Sequence, residues 1–450
     1  MPSADHVSPG VRVYAVCSEV PPDVVGGLGR YAERIMDALR DAGAPVVVFG
    51  ATARRGRAPR TERRGDVTLH RLPTPGYGRR EGSGVRRLAR IAGLLAFNVR
   101  AAARIMAAET GRTGAVVAVH DWMGCVAGIL CRVLGRLPVV FHVHTREMNA
   151  QVGDPGRRSA YAVLLDLLET AQARTARLIL VPSVRMRDDL AARGWPADRM
   201  VVVPHGFEEP GLLRLAGLPG GERDRVRAEV RRRYLPGGQG RLVVFAGRPS
   251  PHKGVGTLIR AVPRVVAEHG DARVVLIGAP APQTGDAETV ARLIERTRTR
   301  GHVVAGNRFV APAEVFAHFL AADVCVFPSV YEPFGLVAVE AMALARPVVV
   351  GPGYSPEVVG DGAVRCARDD PGELATALLR LLGDAEEADR LALRGAAYVR
   401  ERYSWARTAR RTLEAYAAAA RPGRKSGVTT AGPPGGGQPM RRGSVRGPRT

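Results

Sequence analysis

Two glutamates, Glu332 and Glu340, lie eight positions apart around the start of a predicted helix. The helix follows the sequence Glu332-Pro-Phe-Gly335, and residues 336–345 are apolar apart from Glu340. Because burial of an unpaired carboxylate is costly, we expect Glu340 to bind hydroxyl groups or a cation. The free N–H groups at a helix N-terminus also suit a phosphate. The pattern predicts a sugar-nucleotide pocket, against the alternative of a helix-capping acid plus one buried glutamate paired with an arginine.

Two candidate cations follow a predicted buried strand at residues 242–246. Ligands of parallel sheets lie beyond the carboxyl ends of the strands, so Arg248 and Lys253 would meet a diphosphate there. Lys253 and Lys425 are the only lysines among the 66 lysines and arginines of the chain. A compact ammonium meets a departing phosphate oxygen differently from a planar guanidinium. The lysine at position 253 therefore indicates a chemical role, unless it is an accident of a single sequence.

Histidine and acidic residues end two neighbouring predicted strands. His120 and Asp121 follow one strand, and His142 and His144 end the next. The carboxyl ends of parallel strands meet at one rim of the sheet, so these groups are candidates for substrate contact. A zinc site at His142 and His144 is a rival interpretation, but paired histidines on a strand are common without metal. We expect no metal site, and we expect His142 to lie in the core or behind the residues that touch substrate.

A glycine-rich loop, Gly26-Gly27-Leu-Gly29, joins the first predicted strand to the first predicted helix. Glycines at such a junction let the backbone approach a phosphate or a sugar closely, so Gly26 and Gly27 are candidate binding residues. A turn that requires positive backbone angles explains the same glycines equally well. The loop alone is therefore a weak motif.

Together these motifs resemble the donor-site signature of the retaining family 4 glycosyltransferases, which have the two-domain GT-B fold. The matching segments are residues 244–248, 252–254, 323–329, 332–335, 340–342, 347–350 and 370–371. They occur in the family's order, and the likeness runs from about residue 11 to about residue 418. The glycine loop is also similar to the acceptor-side loop of glycogen-synthase-like members, although no lysine opens it here. The loop therefore does not identify the acceptor.

The resemblance implies transfer of a sugar from a nucleoside diphosphate donor to a hydroxyl acceptor, with retention at the anomeric carbon. Arg248 and Lys253 would neutralise the departing diphosphate, because fixed positive groups lower the barrier where negative charge develops. The family places the equivalent of Glu332 at the sugar hydroxyls, that of Glu340 at the ribose, and that of His144 against the sugar. The remaining expected substrate contacts are Asp121, Phe334, Gly335 and Leu336. The family's same-face substitution lets the leaving phosphate help take the acceptor proton and uses no tightly bound metal or other cofactor.

Two segments depart from the family's pattern. Residues 354–356 read Tyr-Ser-Pro before Glu357, where the family usually has a Gly-Gly pair, so recognition of the donor sugar could differ there. After Pro204, the residues Phe207 and Glu208 replace a small apolar residue and an aspartate. We interpret the second departure as variation in a hinge.

The elements that must position these residues alternate between strand-like apolar runs and helical segments. The runs begin at residues 11, 46, 116, 139 and 178, and again at residues 242, 274, 303, 324 and 348. This alternation predicts an α/β fold with two doubly wound, Rossmann-like domains facing a cleft. The predicted ranges are residues 1–205 for the acceptor-side domain, 206–400 for the nucleotide-sugar-binding domain, 401–420 for a helix that in the family crosses back, and 421–450 for a basic disordered tail.

Composition agrees with a two-domain globular enzyme. The chain has 450 residues, of which 46% are hydrophobic, enough for two large cores. The five cysteines lack metal-ligand spacing and are expected to be reduced core residues. No uninterrupted apolar segment is long enough to cross a bilayer, and the first ten residues are polar. These features predict a cytoplasmic protein.

The formal net charge of +23 favours anionic partners. Arginines crowd residues 53–104, and within them residues 85–95 could form a basic amphipathic helix that rests on the inner face of an anionic membrane. The alternative is an ordinary helix that packs one face on the sheet. Aromatic residues make up only 5% of the chain and no reader motif is present, so we expect no nucleic-acid partner. The sequence leaves the oligomeric state open.

Two other functions fit the same fold. One is a sugar-nucleotide epimerase or hydrolase, which the grouping of Arg248, Lys253 and the two glutamates disfavours. The other is a basic binding protein without turnover. Similarity to glycogen-synthase-like members favours a glucosyl donor and a glucan acceptor, while the basic helix keeps a lipid or small-molecule acceptor open.

Overall fold

The computed structural model describes residues 11–20, 27–52, 60–75, 84–146, 160–279, 286–306 and 308–421. Within these residues the chain forms two α/β domains, each built on one mostly parallel sheet. The predicted fold class of two Rossmann-like domains is therefore confirmed. The predicted tail lies outside the described residues, except for Arg421.

The first domain contains an eight-stranded sheet. Its strands are β1 (Arg12–Val16), β2 (Val46–Thr52), β3 (Arg60–Arg64), β4 (Val67–Pro73), β5 (Ala115–His120), β6 (Val139–His142), β7 (Leu178–Val181) and β8 (Met200–Val202). They lie in the order β3-β4-β2-β1-β5-β6-β7-β8, and among them only β3 and β4 pair antiparallel. Strands β5, β6 and β7 are buried along their whole length because helices cover both faces of the sheet.

Helices form two layers around this sheet. They are α1 (Gly27–Asp41), α2 (Gly84–Glu109), α3 (Cys125–Val133), α4 (Ala160–Thr175) and α5 (Val184–Ala192). Helices α2, α3 and α5 share one hydrophobic core with one face of the sheet, and α3 packs against both α2 and α4. Helix α1 belongs to the core on the opposite face.

The second domain contains a six-stranded parallel sheet in the order β11-β10-β9-β12-β13-β14. Its strands are β9 (Leu242–Ala246), β10 (Arg273–Ile277), β11 (Val303–Ala305), β12 (Val324–Phe327), β13 (Val348–Val350) and β14 (Val364–Arg365). Its helices are α6 (Pro210–Ala216), α7 (Gly220–Tyr234), α8 (Val255–Glu268), α9 (Asp286–Arg296), α10 (Pro312–Ala321), α11 (Leu336–Ala343), α12 (Pro356–Val359), α13 (Pro371–Gly383) and α14 (Ala385–Arg402). Two hydrophobic cores, one on each face, hold this sheet between its helices.

The last helix, α15 (Trp405–Ala420), returns to the first domain. It packs against α1, and the hydroxyl of Tyr416 lies 2.8 Å from Nε2 of His142. The backbone N–H of Trp405 donates to the carboxylate of Glu208 at 2.6 Å. Glu208, which we interpreted as hinge variation, therefore anchors the start of the crossing helix. The resemblance implied this crossing, and the structure contains it.

The hairpin of β3 and β4 is missing from the sequence-based prediction. Strand β3 reads Arg-Thr-Glu-Arg-Arg, and it lies at the edge of the sheet with four of its five residues exposed. Charged edge strands prevent unwanted pairing, but they carry no apolar alternation that would reveal a strand. Strands β8 and β14, of three and two residues, are too short to produce a recognisable pattern.

Residues 85–95 form the first part of α2. Leu94, Phe97 and Ile105 of this helix are buried in the core, as the interpretation of a helix packed on the sheet expects. By length and composition alone, the segment Leu88–Glu109 could also cross a membrane. The sequence analysis does not predict this because arginines interrupt the segment.

Candidate functional site

Lys253 lies on a short turn that is held against the end of β12. The turn Pro251–Lys253 is a single turn of 3-10 helix, and Gly254 follows it in the left-handed region with φ of 70°. A Cβ atom at Gly254 would collide with the carbonyl oxygen of Pro328. Because only glycine tolerates both the conformation and the close approach, Gly254 fixes the position of Lys253.

Lys253 and Glu332 form an ion pair across this rim of the second sheet. Nζ of Lys253 lies 2.7 Å from Oε2 of Glu332, and the hydroxyl of Ser329 donates to the same oxygen at 3.2 Å. The side chain of Glu332 is 9% exposed and that of Lys253 is 25% exposed. The partners offset the cost of burying the carboxylate, and they hold it beside the loop that leads to α11.

Arg248 supplies a second cation at the carboxyl end of β9. Its side chain is exposed. Among the residues that the structure describes, no hydrogen bond or ion pair fixes its guanidinium group. Guanidinium groups form strong paired hydrogen bonds with phosphate oxygens, so Arg248 is available for an anion that lies between it and Lys253.

The first turn of α11 has no capping side chain, and the residue before it is tightly packed against the ring of Tyr354. Gly335 precedes the helix with φ of 90°, and no side chain caps the first turn. This finding rules out Glu332 as a helix-capping acid. A Cβ atom at Gly335 would collide with the ring of Tyr354, which is fully buried. The helix begins at Leu336, so its first N–H groups follow Glu332 closely in the chain. The Cγ atom of Glu332 lies 3.0 Å from the position that a Cβ atom of Gly335 would take.

Glu340 is buried, and its partner comes from the other domain. Its Oε1 accepts a hydrogen bond from the guanidinium of Arg30 on α1, while its Oε2 has no hydrogen-bond partner within the described residues. Arg30 also lies 3.6 Å from Glu209, which Arg34 contacts at 2.8 Å. Burial raises the pKa of Glu340, and Arg30 opposes that rise. The sequence left two interpretations of Glu340, a ligand for a sugar nucleotide and a buried glutamate paired with an arginine. The structure contains the pair with an arginine.

Four imidazoles pack together at the rim of the first sheet. Nδ1 of His120 lies 3.1 Å from Nε2 of His144, and Nδ1 of His144 lies 3.4 Å from Nε2 of His205. The ring of His142 stacks on that of His120 at 4.3 Å between centroids. Burial lowers the pKa of His120 and of His205 to about 3. It also lowers the pKa of His142 and of His144 well below 6.5, so the whole cluster is neutral at pH 7.

Three histidines of this cluster lie close enough to share a metal ion. Ligand atoms of His120, His142 and His144 lie within 4.8 Å of one another. The facing nitrogens of His120 and His144 are 3.1 Å apart, which is the distance of a hydrogen bond between two neutral imidazoles. The expectation that no metal ion binds here stays a prediction.

Asp121 holds the strand end that carries His144. Its Oδ1 accepts hydrogen bonds from the backbone N–H of His144 at 2.7 Å and of Thr145 at 3.3 Å. Asp121 is buried and has a positive φ of 54°, a conformation that aspartate tolerates better than most residues. The sequence predicts Asp121 as a substrate contact, and the structure gives its carboxylate a role in positioning His144.

His205 joins the two halves of the site. The centroid of its ring lies 5.4 Å from that of His144, 4.6 Å from that of Tyr31 and 5.0 Å from that of Phe334. Phe334 is buried and belongs to the loop that carries Glu332. The predicted residues of the first domain and those of the second therefore meet across one imidazole.

Two family models match the chain. The description "Glycosyl transferase 4-like domain" matches residues 26–206, and "Glycosyl transferases group 1" matches residues 240–384. The D-inositol 3-phosphate glycosyltransferase of Geodermatophilus obscurus is 30% identical over 407 residues, which cover 88% of this chain and 85% of that protein. The chain belongs to the group 1 glycosyltransferases.

Two other similar proteins also match this glycosyltransferase over most of both chains. The glycogen synthase of Mycobacterium tuberculosis is 28% identical over 421 residues, covering 91% of this chain and 95% of the relative. The solved structure of sucrose-phosphate synthase from Thermosynechococcus elongatus superposes with a TM-score of 0.70 at 22% identity, covering 90% of this chain and 98% of that one. The structural likeness agrees with the GT-B fold that the resemblance implied.

The glycine loop of the glycosyltransferase is only partly described. Gly26 lies outside the described residues, and Gly27 is the first residue of α1. The backbone N–H of Gly29 donates to the carboxylate of Glu19 at 3.2 Å. The prediction that Gly26 and Gly27 bind substrate remains a prediction.

The segment that departs from the family's Gly-Gly pattern connects the two domains. Oε1 of Glu357 accepts a hydrogen bond from the backbone N–H of Val184 at 2.7 Å, and Oγ of Ser355 accepts one from that of Arg185 at 3.2 Å. Both donors lie at the start of α5 in the first domain. The ring of Tyr354 packs against Gly335, and its buried hydroxyl has no hydrogen-bond partner within the described residues.

Several residues of the site are missing from the sequence-based prediction. They are Arg30, Tyr31, Arg34, His205, Glu209 and Tyr354 in its packed position. The pairing of Arg30 with Glu340 joins residues 310 positions apart, and no local spacing announces such a contact. Two of these residues carried a signal in the sequence. His205 lies inside the Pro-His-Gly sequence of the predicted hinge, and Tyr354 begins the segment that departs from the family's Gly-Gly pattern.

Proposed function

We propose that this glycosyltransferase moves a hexosyl group, with glucose favoured, from a nucleoside diphosphate sugar to a hydroxyl acceptor, with retention at the anomeric carbon. The observation that carries the proposal is the rim of the second sheet, where Arg248 and the Lys253–Glu332 pair lie beside the uncapped start of α11. Two cations and a helix N-terminus suit a diphosphate, and the adjoining carboxylate suits sugar hydroxyls.

Departure of the diphosphate would be the step that these cations assist. As the bond between the anomeric carbon and the phosphate oxygen breaks, negative charge grows on that oxygen. Arg248 and Lys253 would neutralise this charge from fixed positions, which lowers the barrier. We propose that these side chains act without a tightly bound metal ion, since they supply the positive charge that the leaving group needs.

The two glutamates would bind different parts of the donor. Glu332 would accept hydrogen bonds from the sugar hydroxyls while Lys253 turns toward the phosphate. Glu340 would bind the ribose through its hydroxyl groups, and its Oε2 is already free of any partner within the described residues. Because Arg30 occupies Oε1, entry of the nucleotide would require Arg30 to move, and cleft opening and closure would accompany each turnover.

His144 would contact the donor sugar from the first domain. Its neutral imidazole can donate or accept a hydrogen bond, and Asp121 fixes the backbone at this position. The proton of the acceptor hydroxyl would pass to the leaving phosphate on the same face of the sugar. This route explains retention without a covalent intermediate on a side chain.

The acceptor is a glucan, a lipid or a small molecule. Relatives bear the names glycogen synthase and D-inositol 3-phosphate glycosyltransferase, so a glucan and a polyol phosphate are the first acceptors to test.

The test incubates the purified full-length chain with a panel of radiolabelled nucleoside diphosphate sugars, with and without glycogen, inositol phosphates and lipid acceptors. Nucleotide release that depends on an acceptor supports transfer. The anomeric configuration of the product, read by NMR, decides whether the donor configuration is retained.

The same panel separates the alternatives. Conversion of the donor sugar without an acceptor would support an epimerase, and acceptor-independent release of nucleotide would support a hydrolase. Saturable binding of a donor with no turnover under any acceptor would support a binding protein. An inverted product would overturn the proposed stereochemistry while leaving glycosyl transfer intact.

A further inference from the structure

Most large apolar side chains that the described residues expose lie on one layer of helices. Eight of the twelve belong to α2, to α3 with the residue after it, and to α4. They are Leu88, Leu95, Val99, Val133, Leu134, Val163, Leu164 and Leu167, and we call them the outer apolar surface. The other four are scattered over the second domain. Grouped exposure of this kind marks an interaction site, whereas single exposed residues are ordinary.

The three helices are neighbours on the same side of the first sheet. Helix α3 packs against α2 on one side and against α4 on the other. Leu88, Leu95 and Val99 recur at intervals of seven and four residues, so they lie along one face of α2. Their side chains are between 48% and 68% exposed. The outer apolar surface therefore spans adjacent helices and is not a single isolated stripe.

The exposed charges around this surface have one sign. Arg100 and Arg104 on α2 and Arg174 on α4 are exposed. The acidic residues of these helices are buried or paired. Glu109 and Glu169 are buried, and Asp166 forms an ion pair with Arg146. Within the described part of α2, α3 and α4, every exposed charged residue is therefore an arginine. Asp166, whose side chain is 35% exposed, is neutralised by Arg146. An apolar face bordered by arginines matches the headgroup region of an anionic bilayer.

The burial of helix α2 suits a helix that rests on a bilayer, and it does not suit one that crosses a bilayer. Its opposite face, with Leu94, Phe97 and Ile105, is buried in the core of the first domain. Extraction of the helix into a bilayer would expose that core to water, which costs far more than the outward residues could return. We propose that the outer apolar surface docks the glycosyltransferase onto an anionic lipid bilayer as a peripheral protein.

A second copy of the chain is a poorer occupant. In a two-fold symmetric dimer the same surface meets itself, so the arginines of one copy would face those of the other. Anionic lipid headgroups neutralise these charges, while the acyl chains receive the leucines and valines. The difference in electrostatics favours the bilayer.

The test measures sedimentation of the full chain with vesicles of phosphatidylglycerol and with vesicles of phosphatidylcholine. The variant carries Leu88→Gln, Leu95→Gln and Val99→Gln, which preserve every charge of the protein. We expect the wild type to prefer phosphatidylglycerol, and the triple variant to bind those vesicles roughly tenfold or more weakly. Nucleotide release with a water-soluble acceptor should be unchanged, because these residues lie outside the proposed site.

The matched control carries Leu213→Gln, Phe309→Gln and Leu393→Gln, which are between 50% and 75% exposed in the second domain. It should bind vesicles like the wild type. The proposal is overturned if the wild type ignores phosphatidylglycerol, or if the triple variant binds as well as the control, which would assign binding to charge alone. A wild-type dimer that the triple variant converts to a monomer would assign the surface to a second copy. Unchanged far-UV dichroism of each variant excludes misfolding.

Discussion

Nζ of Lys253 lies 2.7 Å from Oε2 of Glu332, so the cation proposed for the diphosphate and the carboxylate proposed for the sugar form one ion pair. Neither residue can be removed without leaving the other unpaired at a largely buried position. A loss of activity must therefore be separated from a loss of folding. We expect turnover to depend on the chemical identity of each of the two side chains. We expect stability to depend mainly on whether the buried charge of one residue keeps an oppositely charged partner.

Lys253→Ala and Glu332→Ala should each abolish turnover while the protein stays folded. For Lys253→Ala, loss of a positioned positive charge at a developing oxyanion costs roughly a hundredfold to a thousandfold in kcat. Glu332→Ala removes the acceptor of the sugar hydroxyl hydrogen bonds and leaves Lys253 without its partner. The measurement is nucleotide release with the best donor and acceptor, alongside thermal unfolding. Arg300→Ala is the control, since Arg300 forms an ion pair with Glu295 at an exposed position. Wild-type rates in either site variant would refute the site.

Lys253→Arg tests whether the lysine was selected for its shape. The variant keeps the positive charge and can still pair with Glu332, so its stability should remain near that of the wild type. A planar guanidinium presents its donors in a fixed fork, and we expect kcat to fall roughly tenfold or more. Full activity of Lys253→Arg would show that charge alone suffices at this position.

Much of this rim could be predicted from the sequence because its residues are close to one another along the chain. Glu332, Gly335 and Glu340 fall within nine positions, and Arg248 and Lys253 follow a strand whose apolar run is unmistakable. Parallel sheets gather such residues at one edge by rule. The α/β alternation was readable for the same reason, since buried parallel strands are continuous apolar runs.

Contacts between the domains could not be predicted. Glu340 has an arginine partner on α1, and neither residue's neighbours in sequence indicate the other. Such a contact depends on how the two domains sit together, and a single sequence records that only through pairs of distant residues. Inside the first domain, strand β3 escaped for a different reason, because an exposed, charged edge strand has no apolar period.

Arg30→Met should destabilise the protein because it leaves the buried carboxylate of Glu340 without its cation. Breaking a fully buried pair costs about 3–5 kcal/mol, and the partial exposure of Arg30 should reduce this to about 1–3 kcal/mol. In a double-mutant cycle, Glu340→Gln should recover part of the loss. Urea unfolding of the four proteins measures the coupling. The exposed pair of Arg410 and Glu414 should show almost none.

The pH dependence of that loss has a definite sign. Burial already raises the pKa of Glu340, and removal of Arg30 takes away the influence that lowers it. A raised carboxylate pKa contributes stability at low pH that is lost as the pH rises through the folded pKa. The deficit of Arg30→Met should therefore be largest near pH 7 and shrink toward pH 5. A deficit that grows on acidification would contradict the pairing.

Tyr354→Phe tests the segment that departs from the family's pattern. The ring packs against Gly335, and burial together with Glu332 and Glu340 raises the pKa of its hydroxyl well above 10. A buried hydroxyl without a partner within the described residues carries a desolvation cost, so the variant should be at least as stable as the wild type. We expect the KM for the donor to rise roughly threefold to tenfold with kcat unchanged, because the hydroxyl would bind the donor. An unchanged KM would show that Tyr354 only fills space.

The histidine cluster should make the first domain sensitive to acid. The unfolded chain protonates histidines near pH 6.5, whereas burial holds the pKa of His120 and of His205 near 3. Between these values the unfolded state binds more protons than the folded state, so stability is full above pH 6.5 and falls as the pH falls. Each such histidine contributes a slope of about 1.4 kcal/mol per pH unit.

His142→Asn should flatten this slope, because it removes one histidine whose pKa burial lowers well below 6.5. The variant should be less stable than the wild type at pH 7.5, where it loses the contact with the Tyr416 hydroxyl, and the difference should narrow by pH 5.5. The midpoint of urea unfolding at pH 7.5, 6.5 and 5.5 measures both effects. His269→Asn, outside the cluster, is the control and should keep the wild-type slope. Parallel pH profiles for His142→Asn and the wild type would mean that His142 binds protons as readily in the folded protein as in the unfolded chain, which would contradict the effect of burial on its pKa.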